Sequence, residues 1–198
     1  VASTCLTAFV WDNGAQATLI VAQRIAVGPA SINHDGDQFV IPFDDFNKDE
    51  YHPDVVWGEP HDNFLVTFLQ DDTTAGITRV KYAYIHDTEQ GPDNADEFEA
   101  LPDFLLPTHD DHQTEQDAAY APNAEEYLVV FQEGNFLDGE IFGYRLPGSA
   151  PGVLPSEPFP IADSFLWERS PSVAHVGGTY PTYDGRTHDK TLIVSYVL

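Results

Sequence analysis

Apolar and polar positions alternate along this chain in short runs, and the runs return in the same order. Residues 117–146, DAAYAPNAEEYLVVFQEGNFLDGEIFGYRL, contain three of them. Ala118-Ala119-Tyr120 is apolar and stops at Pro122-Asn123. Tyr127-Leu128-Val129-Val130-Phe131 is β-branched and aromatic. Ile141-Phe142-Gly143-Tyr144-Arg145-Leu146 alternates after a turn at Gly139. Strand formers bounded by Asn, Gly and Pro predict antiparallel hairpins.

The second run has counterparts at Leu65-Val66-Thr67-Phe68, Leu6-Thr7-Ala8-Phe9 and Leu192-Ile193-Val194-Ser195, about sixty residues apart. The third run matches Val80 to Ile85 and Ile20 to Ile25. A fourth follows each time, at Phe39-Val40-Ile41, Phe104-Leu105-Leu106 and Phe159-Pro160-Ile161. The first run appears as Pro53-Asp54-Val55-Val56-Trp57, Asp117-Ala118-Ala119-Tyr120 and Pro171-Ser172-Val173-Ala174-His175. A single sheet of this kind cannot bury both faces alone, so neighbouring copies must cover one another. The prediction is all-β: a small β-propeller of four-stranded antiparallel blades, with the chain starting and ending inside a blade. The units fall near residues 1–43, 53–106, 117–161 and 171–198 of one domain spanning 1–198. The competing arrangement is a β-sandwich with accidental self-similarity.

These runs resemble a tandem repeat of secreted bacterial surface proteins, with a pattern near P-x-V-A-Y-N … E-Y-L-V-V-W … I-x-G-Q-R-L … F-x-I. Pro171-Ser172-Val173-Ala174, Glu126-Tyr127-Leu128-Val129-Val130-Phe131, Ile141 to Leu146 and Phe159-Pro160-Ile161 carry the likeness. It covers nearly the whole chain through scaffold residues. It implies a propeller and an extracellular or cell-surface setting, and no particular activity. The copy from Ile77 to Leu106 departs from the pattern, with a longer acidic connection and no Gly at the centre of its third run.

Charge narrows the partners. Against 33 acidic residues stand 8 Lys and Arg, a formal charge of −25, which repels nucleic acid and anionic membranes. Abundant Asp with scarce Lys suits a protein working in salt, where screening removes the repulsive cost. No run is long enough to span a bilayer, so membrane insertion is not expected. Cys5 is the one cysteine; it cannot form an intrachain disulfide, and its place at a strand start suits a small buried hydrophobe. The chain contains no Met, which points to a processed product or a segment of something longer.

Candidate chemistry lies in the connections. Asp45, Asn47 and Asp49 have the alternate-residue oxygen spacing of calcium loops, without the Gly expected next or a distant bidentate Glu. The bland reading of this triplet is a solvated acidic loop. His109-Asp110-Asp111-His112 brings imidazoles and carboxylates together in a loop, as a zinc site would need, but without helical support the favoured reading is a surface loop. Tyr180, Tyr183 and Asp184, in Tyr180-Pro181-Thr182-Tyr183-Asp184-Gly185, form the loop best suited to stacking on a ligand such as a glycan. Trp11, Trp57 and Trp167 are further aromatic candidates, although aromatics at blade boundaries are more often core.

Asp54 and Asp117 occupy equivalent first-run positions, where paired carboxylates would suit glycoside hydrolysis. The third copy has Ser172 there, and the bland reading is that both acids cap strand ends through loop amides. The leading expectation is an extracellular, non-enzymatic propeller with a structural, adhesive or self-assembling role; the competitor is a glycan-binding or glycan-cleaving one. Thr191 to Leu198 is strongly β-forming and carries no charge or Pro. It must be covered, either by closure within the chain or by a neighbouring subunit through Leu192, Ile193 and Val194, in which case head-to-tail pairing builds an oligomer or filament.

Overall fold

The computed structural model describes residues 3–12, 18–27, 31–34, 38–41, 48–59, 63–72, 76–87, 98–100, 104–105, 112–134, 139–149, 157–162, 168–176, 180–181, 187–188 and 191–197. Among them no helix occurs, and the expected all-β character is what is seen. The first sheet contains β1 (Ser3–Asp12) and β2 (Thr18–Val27), with short β3 (Ile32–His34) and β4 (Phe39–Val40) both paired to β2. The second contains β5 (Glu50–Gly58), β6 (Asn63–Asp72) and β7 (Ile77–Asp87), with short β8 (Phe98–Ala100) and β9 (Phe104–Leu105) both on β7. The third runs β10 (Gln113–Ala121), β11 (Glu126–Glu133), β12 (Glu140–Pro147), β13 (Phe159–Ala162), in that spatial order. Then come β14 (Arg169–Val176), the small pair β15 (Tyr180–Pro181) and β16 (Thr187–His188), and β17 (Thr191–Val197), which pairs with β14. Every pairing is antiparallel.

The registers make the copies equivalent residue by residue. Asp54 faces Thr67, Asp117 faces Val130 and Ser172 faces Ser195. Leu6, Leu65 and Leu128 face Arg24, Tyr84 and Arg145 on the next strand. Phe39, Phe104 and Phe159 then face Ala22, Tyr82 and Gly143. One detail differs from the sequence reading. Ala119 faces Leu128 while Ala174 faces Ile193, so Ile193, not Leu192, takes the place of Leu128. A slip of one residue turns every side chain to the other face; here it turns Val194 inward.

Each first strand also bends at the same place. Register shifts fall between Tyr51 and Asp54, Thr114 and Asp117, and Arg169 and Ser172. Inside them His52, Glu115 and Ser170 adopt φ of 52°, 52° and 51°. A bulge with a non-Gly residue in the left-handed region costs about 1 kcal/mol or more and persists only where surroundings enforce it. The enforcement is visible: the Ser170 amide donates to Glu115 Oε2 at 2.6 Å, and Gln116 Nε2 donates to the His52 carbonyl.

The sheets stack face to face in chain order. Alternation on β6 sends Phe64, Val66 and Phe68 toward Leu6, Ile20, Ala22 and Ile41 of the first sheet. It sends Leu65 and Leu69 toward Tyr127, Val129, Phe131, Tyr144 and Leu146 of the third. The third sheet in turn packs Ala119, Leu128 and Val130 against Val173 and Val194 of the β14–β17 pair. A strand with both faces covered reads as a continuous apolar run, and for that reason FLVTFL and YLVVF show little polar alternation. Cys5 departs from expectation: it is exposed, on the face of β1 opposite Leu6.

Candidate functional site

Stacking brings the first strands side by side, and their acids form a continuous seam. Asp54 Oδ1 accepts from its neighbour Val55 N–H at 2.9 Å, and Oδ2 accepts from Ala118 N–H of the next sheet at 3.2 Å. Asp117 repeats the arrangement, taking the Ala118 N–H on Oδ1 at 2.9 Å. Its Oδ2 accepts from Val173 N–H at 2.7 Å and from Ser172 Oγ at 2.8 Å. Both carboxyls thus converge on one amide. Burial holds the Asp54 carboxyl above the usual carboxylate range, and the adjoining Asp117 charge raises it further. Asp54 and Asp117 lie close together, and they bind strand amides across sheets, not loop amides at strand ends.

The seam continues at the strand starts. Glu50 is buried, with Oε2 accepting from Ile20 N–H at 3.1 Å and Oε1 from Gln70 Nε2 at 2.9 Å. Gln113, its counterpart, accepts from Val80 N–H at 2.9 Å through Oε1. Register pairs Glu50 with Gln70 and Gln113 with Glu133, the same cross-strand pair with the residue types exchanged. Sequence reasoning missed these groups because Glu and Gln at a strand start look like solvent-facing residues. The one available signal was their identical spacing, two positions before each bulge.

The sequence-derived ligand candidates are distributed differently. Asp45 and Asn47 lie outside the described residues. Asp49 accepts from Thr18 N–H at 2.9 Å and Thr18 Oγ1 at 3.2 Å, through Oδ1. His112 does a similar job, its Nδ1 accepting from Thr78 N–H at 3.2 Å, while His109, Asp110 and Asp111 lie outside the described residues. Among the described residues no group of three or more His, Cys, Asp or Glu could hold a metal ion. Tyr183 and Asp184 lie outside the described residues, as does Trp167. Of Tyr180 only the pairing of its backbone with His188 is described. Trp57 stands at the surface with its ring 4.6 Å from that of Phe64, and Trp11 is about half exposed.

A cavity of about 340 Å³ opens between the third sheet and β17, unforeseen from sequence. Its apolar wall includes Leu128, Phe159, Ile161 and Val194, with Glu126 and Arg145 as its polar groups. Arg145 is exposed and lies over the Phe159 ring, 5.5 Å from its centroid. Phe159 and Ile161 fold in over Gly143, where a Cβ would come within 3.0 Å and 2.8 Å of them. That approach explains the glycine.

Taken together, Asp54, Asp117, Glu50 and Gln113 of the first strands accept backbone N–H groups of neighbouring sheets, and the cavity is a concave feature among the described residues. The chain matches no known protein-family model, and comparison with curated proteins and with solved structures gives no match.

Proposed function

We propose that the chain is a non-enzymatic repeat module of an extracellular or cell-surface scaffold. In this reading its sheets are the blades of a small β-propeller, and its role is structural, adhesive or self-assembling, in salt. The observation that carries the reading is the use made of the repeated polar residues. All four carboxylate oxygens of Asp54 and Asp117 accept strand or neighbouring N–H groups. A glycosidase needs one carboxyl to donate a proton and another to activate water or attack carbon, each with an open approach. Carboxyls spent on joining sheets serve stability instead. The face-to-face stacking of successive sheets supports radial blades, and the charge of −25 supports a salty extracellular setting.

The test is a polysaccharide-hydrolysis screen combined with a glycan array and electron microscopy of the purified chain. The expected result is no turnover, with rings, fibres or surface-bound arrays. Turnover abolished by Asp117→Asn in a variant that still melts like the parent would overturn the non-enzymatic reading.

A further inference from the structure

We propose that the cavity beside the third sheet binds a small apolar zwitterion, a free amino acid or dipeptide with an aliphatic or aromatic side chain. This site is additional to the scaffold role and independent of it.

Two equivalent positions in successive sheets carry different chemistry. Leu65 faces Tyr84 and Leu128 faces Arg145. Two residues before each leucine stand Asn63 and Glu126. In the second sheet this pair of positions seals the seam to the third. Tyr84 donates its hydroxyl to the Pro147 carbonyl at 2.7 Å, and Asn63 Nδ2 donates to the Gly148 carbonyl at 2.8 Å. Asn63 Oδ1 accepts from the Tyr127 hydroxyl. In the third sheet the same two positions hold a carboxylate and a guanidinium, and both line the cavity. Among the described residues neither side chain forms a hydrogen bond or an ion pair. Two neutral groups that join sheets are thus replaced by two opposite charges that face open space.

The arrangement selects the ligand by charge. Glu126 and Arg145 are diagonal neighbours on adjacent strands, a relation that sets side-chain origins about 7–8 Å apart. A simple carboxylate would meet the like charge of Glu126, and a simple amine that of Arg145. A molecule carrying both signs satisfies both residues, and the mismatch rejects its singly charged analogues. The planar guanidinium suits a carboxylate gripped at both oxygens. The Phe159 ring lies beneath it, 5.5 Å away, and steadies it. Beside the two charges, Leu128, Phe159, Ile161 and Val194 supply an apolar wall for a hydrocarbon or aromatic side chain. The volume of about 340 Å³ stands at the small end of ligand pockets, which run from about 300 to 1,000 Å³. It therefore favours one or two residues over a longer peptide.

The probes are leucine, leucyl-leucine, N-acetyl-leucine, leucinamide and octanoate, titrated into the 198-residue chain by calorimetry and methyl NMR. Saturable binding of leucine or leucyl-leucine is expected, with shifts at Leu128, Ile161 and Val194. Whichever of the two binds tighter gives the spacing of the charges. N-acetyl-leucine and leucinamide each lack one charge and should bind about tenfold more weakly, the size of a lost hydrogen bond to a charged group. Arg145→Gln should cause the same loss for the zwitterion and no further loss for leucinamide. Glu126→Gln should behave likewise toward N-acetyl-leucine. Arg145 is exposed and Glu126 half-buried, so both variants should melt like the parent. Three results overturn the proposal: no saturable binding of either zwitterion, octanoate binding as tightly as they do, or zwitterion binding indifferent to both substitutions.

Discussion

Asp54 is pressed from two sides, by its burial and by the carboxyl of Asp117. Its folded-state pKa lies above the ordinary Asp value, so folding favours the protonated form. The stability it contributes is full below the ordinary value and is lost as pH rises through the raised one. Asp54→Asn keeps an acceptor for Val55 N–H, turns a donor toward Asp117 and gives up the bond from Ala118 N–H, which Asp117 Oδ1 still accepts. The melting temperature of this variant, relative to the parent, should therefore climb as pH increases from about 3 to about 7. A difference that stays constant with pH would refute the raised pKa of Asp54. Tyr127 makes the converse case, a neutral group in a demanding place. Its hydroxyl donates to Asn63 Oδ1 at 2.5 Å, and Asn63 Nδ2 donates to the Gly148 carbonyl at 2.8 Å. Removing the hydroxyl in Tyr127→Phe leaves a buried acceptor unsatisfied, and chemical denaturation should register a loss of about 1–3 kcal/mol. The equivalence of Asp54 and Asp117 was legible in the sequence because both stand at the same step of a repeat. The bulges were not. His52, Glu115 and Ser170 share no chemistry, and their positive φ is imposed by bonds from other strands.

Elements were easier to read where both faces are buried than where one is not. The runs at 64–69 and 127–131 are apolar apart from Thr67 because each lies between two sheets, and their strands fall where the pattern puts them. In β17 the sequence offers Leu192, Ile193, Val194 in a row, with nothing local to say which turns inward, and only pairing with β14 decides. Cys5 was misread for a related reason: position in a strand does not reveal whether the outward face is covered. The cavity depends on which neighbouring strand is present, a property no single run encodes. On β12 the informative residue is a small one. Gly143→Val would drive a branched side chain into Phe159 and Ile161. It should cost about 1–3 kcal/mol in denaturant unfolding, whereas a neutral result would mean that these side chains swing aside.

For the molecule as a whole, charge makes stability depend on salt. With a net −25, the native state gathers like charges that the unfolded chain holds further apart. Screening shortens their reach to about 3 Å in molar salt, from about 30 Å at 0.01 M. The melting temperature should rise clearly between these conditions; an unchanged value would disprove salt adaptation.

Stacking in chain order also has a kinetic consequence. Substantial contacts between sheets, among the described residues, join the first to the second, the second to the third, and the third to β14 and β17. Among the described residues, each of these sheets packs on segments adjacent in sequence. Folding can nucleate in the second and third sheets, whose shared cluster holds most of the buried aromatic rings, and spread outward in both directions. On a ribosome the same order would let each sheet settle onto its predecessor as it emerges. β17, made after β14, would then dock on a surface already formed.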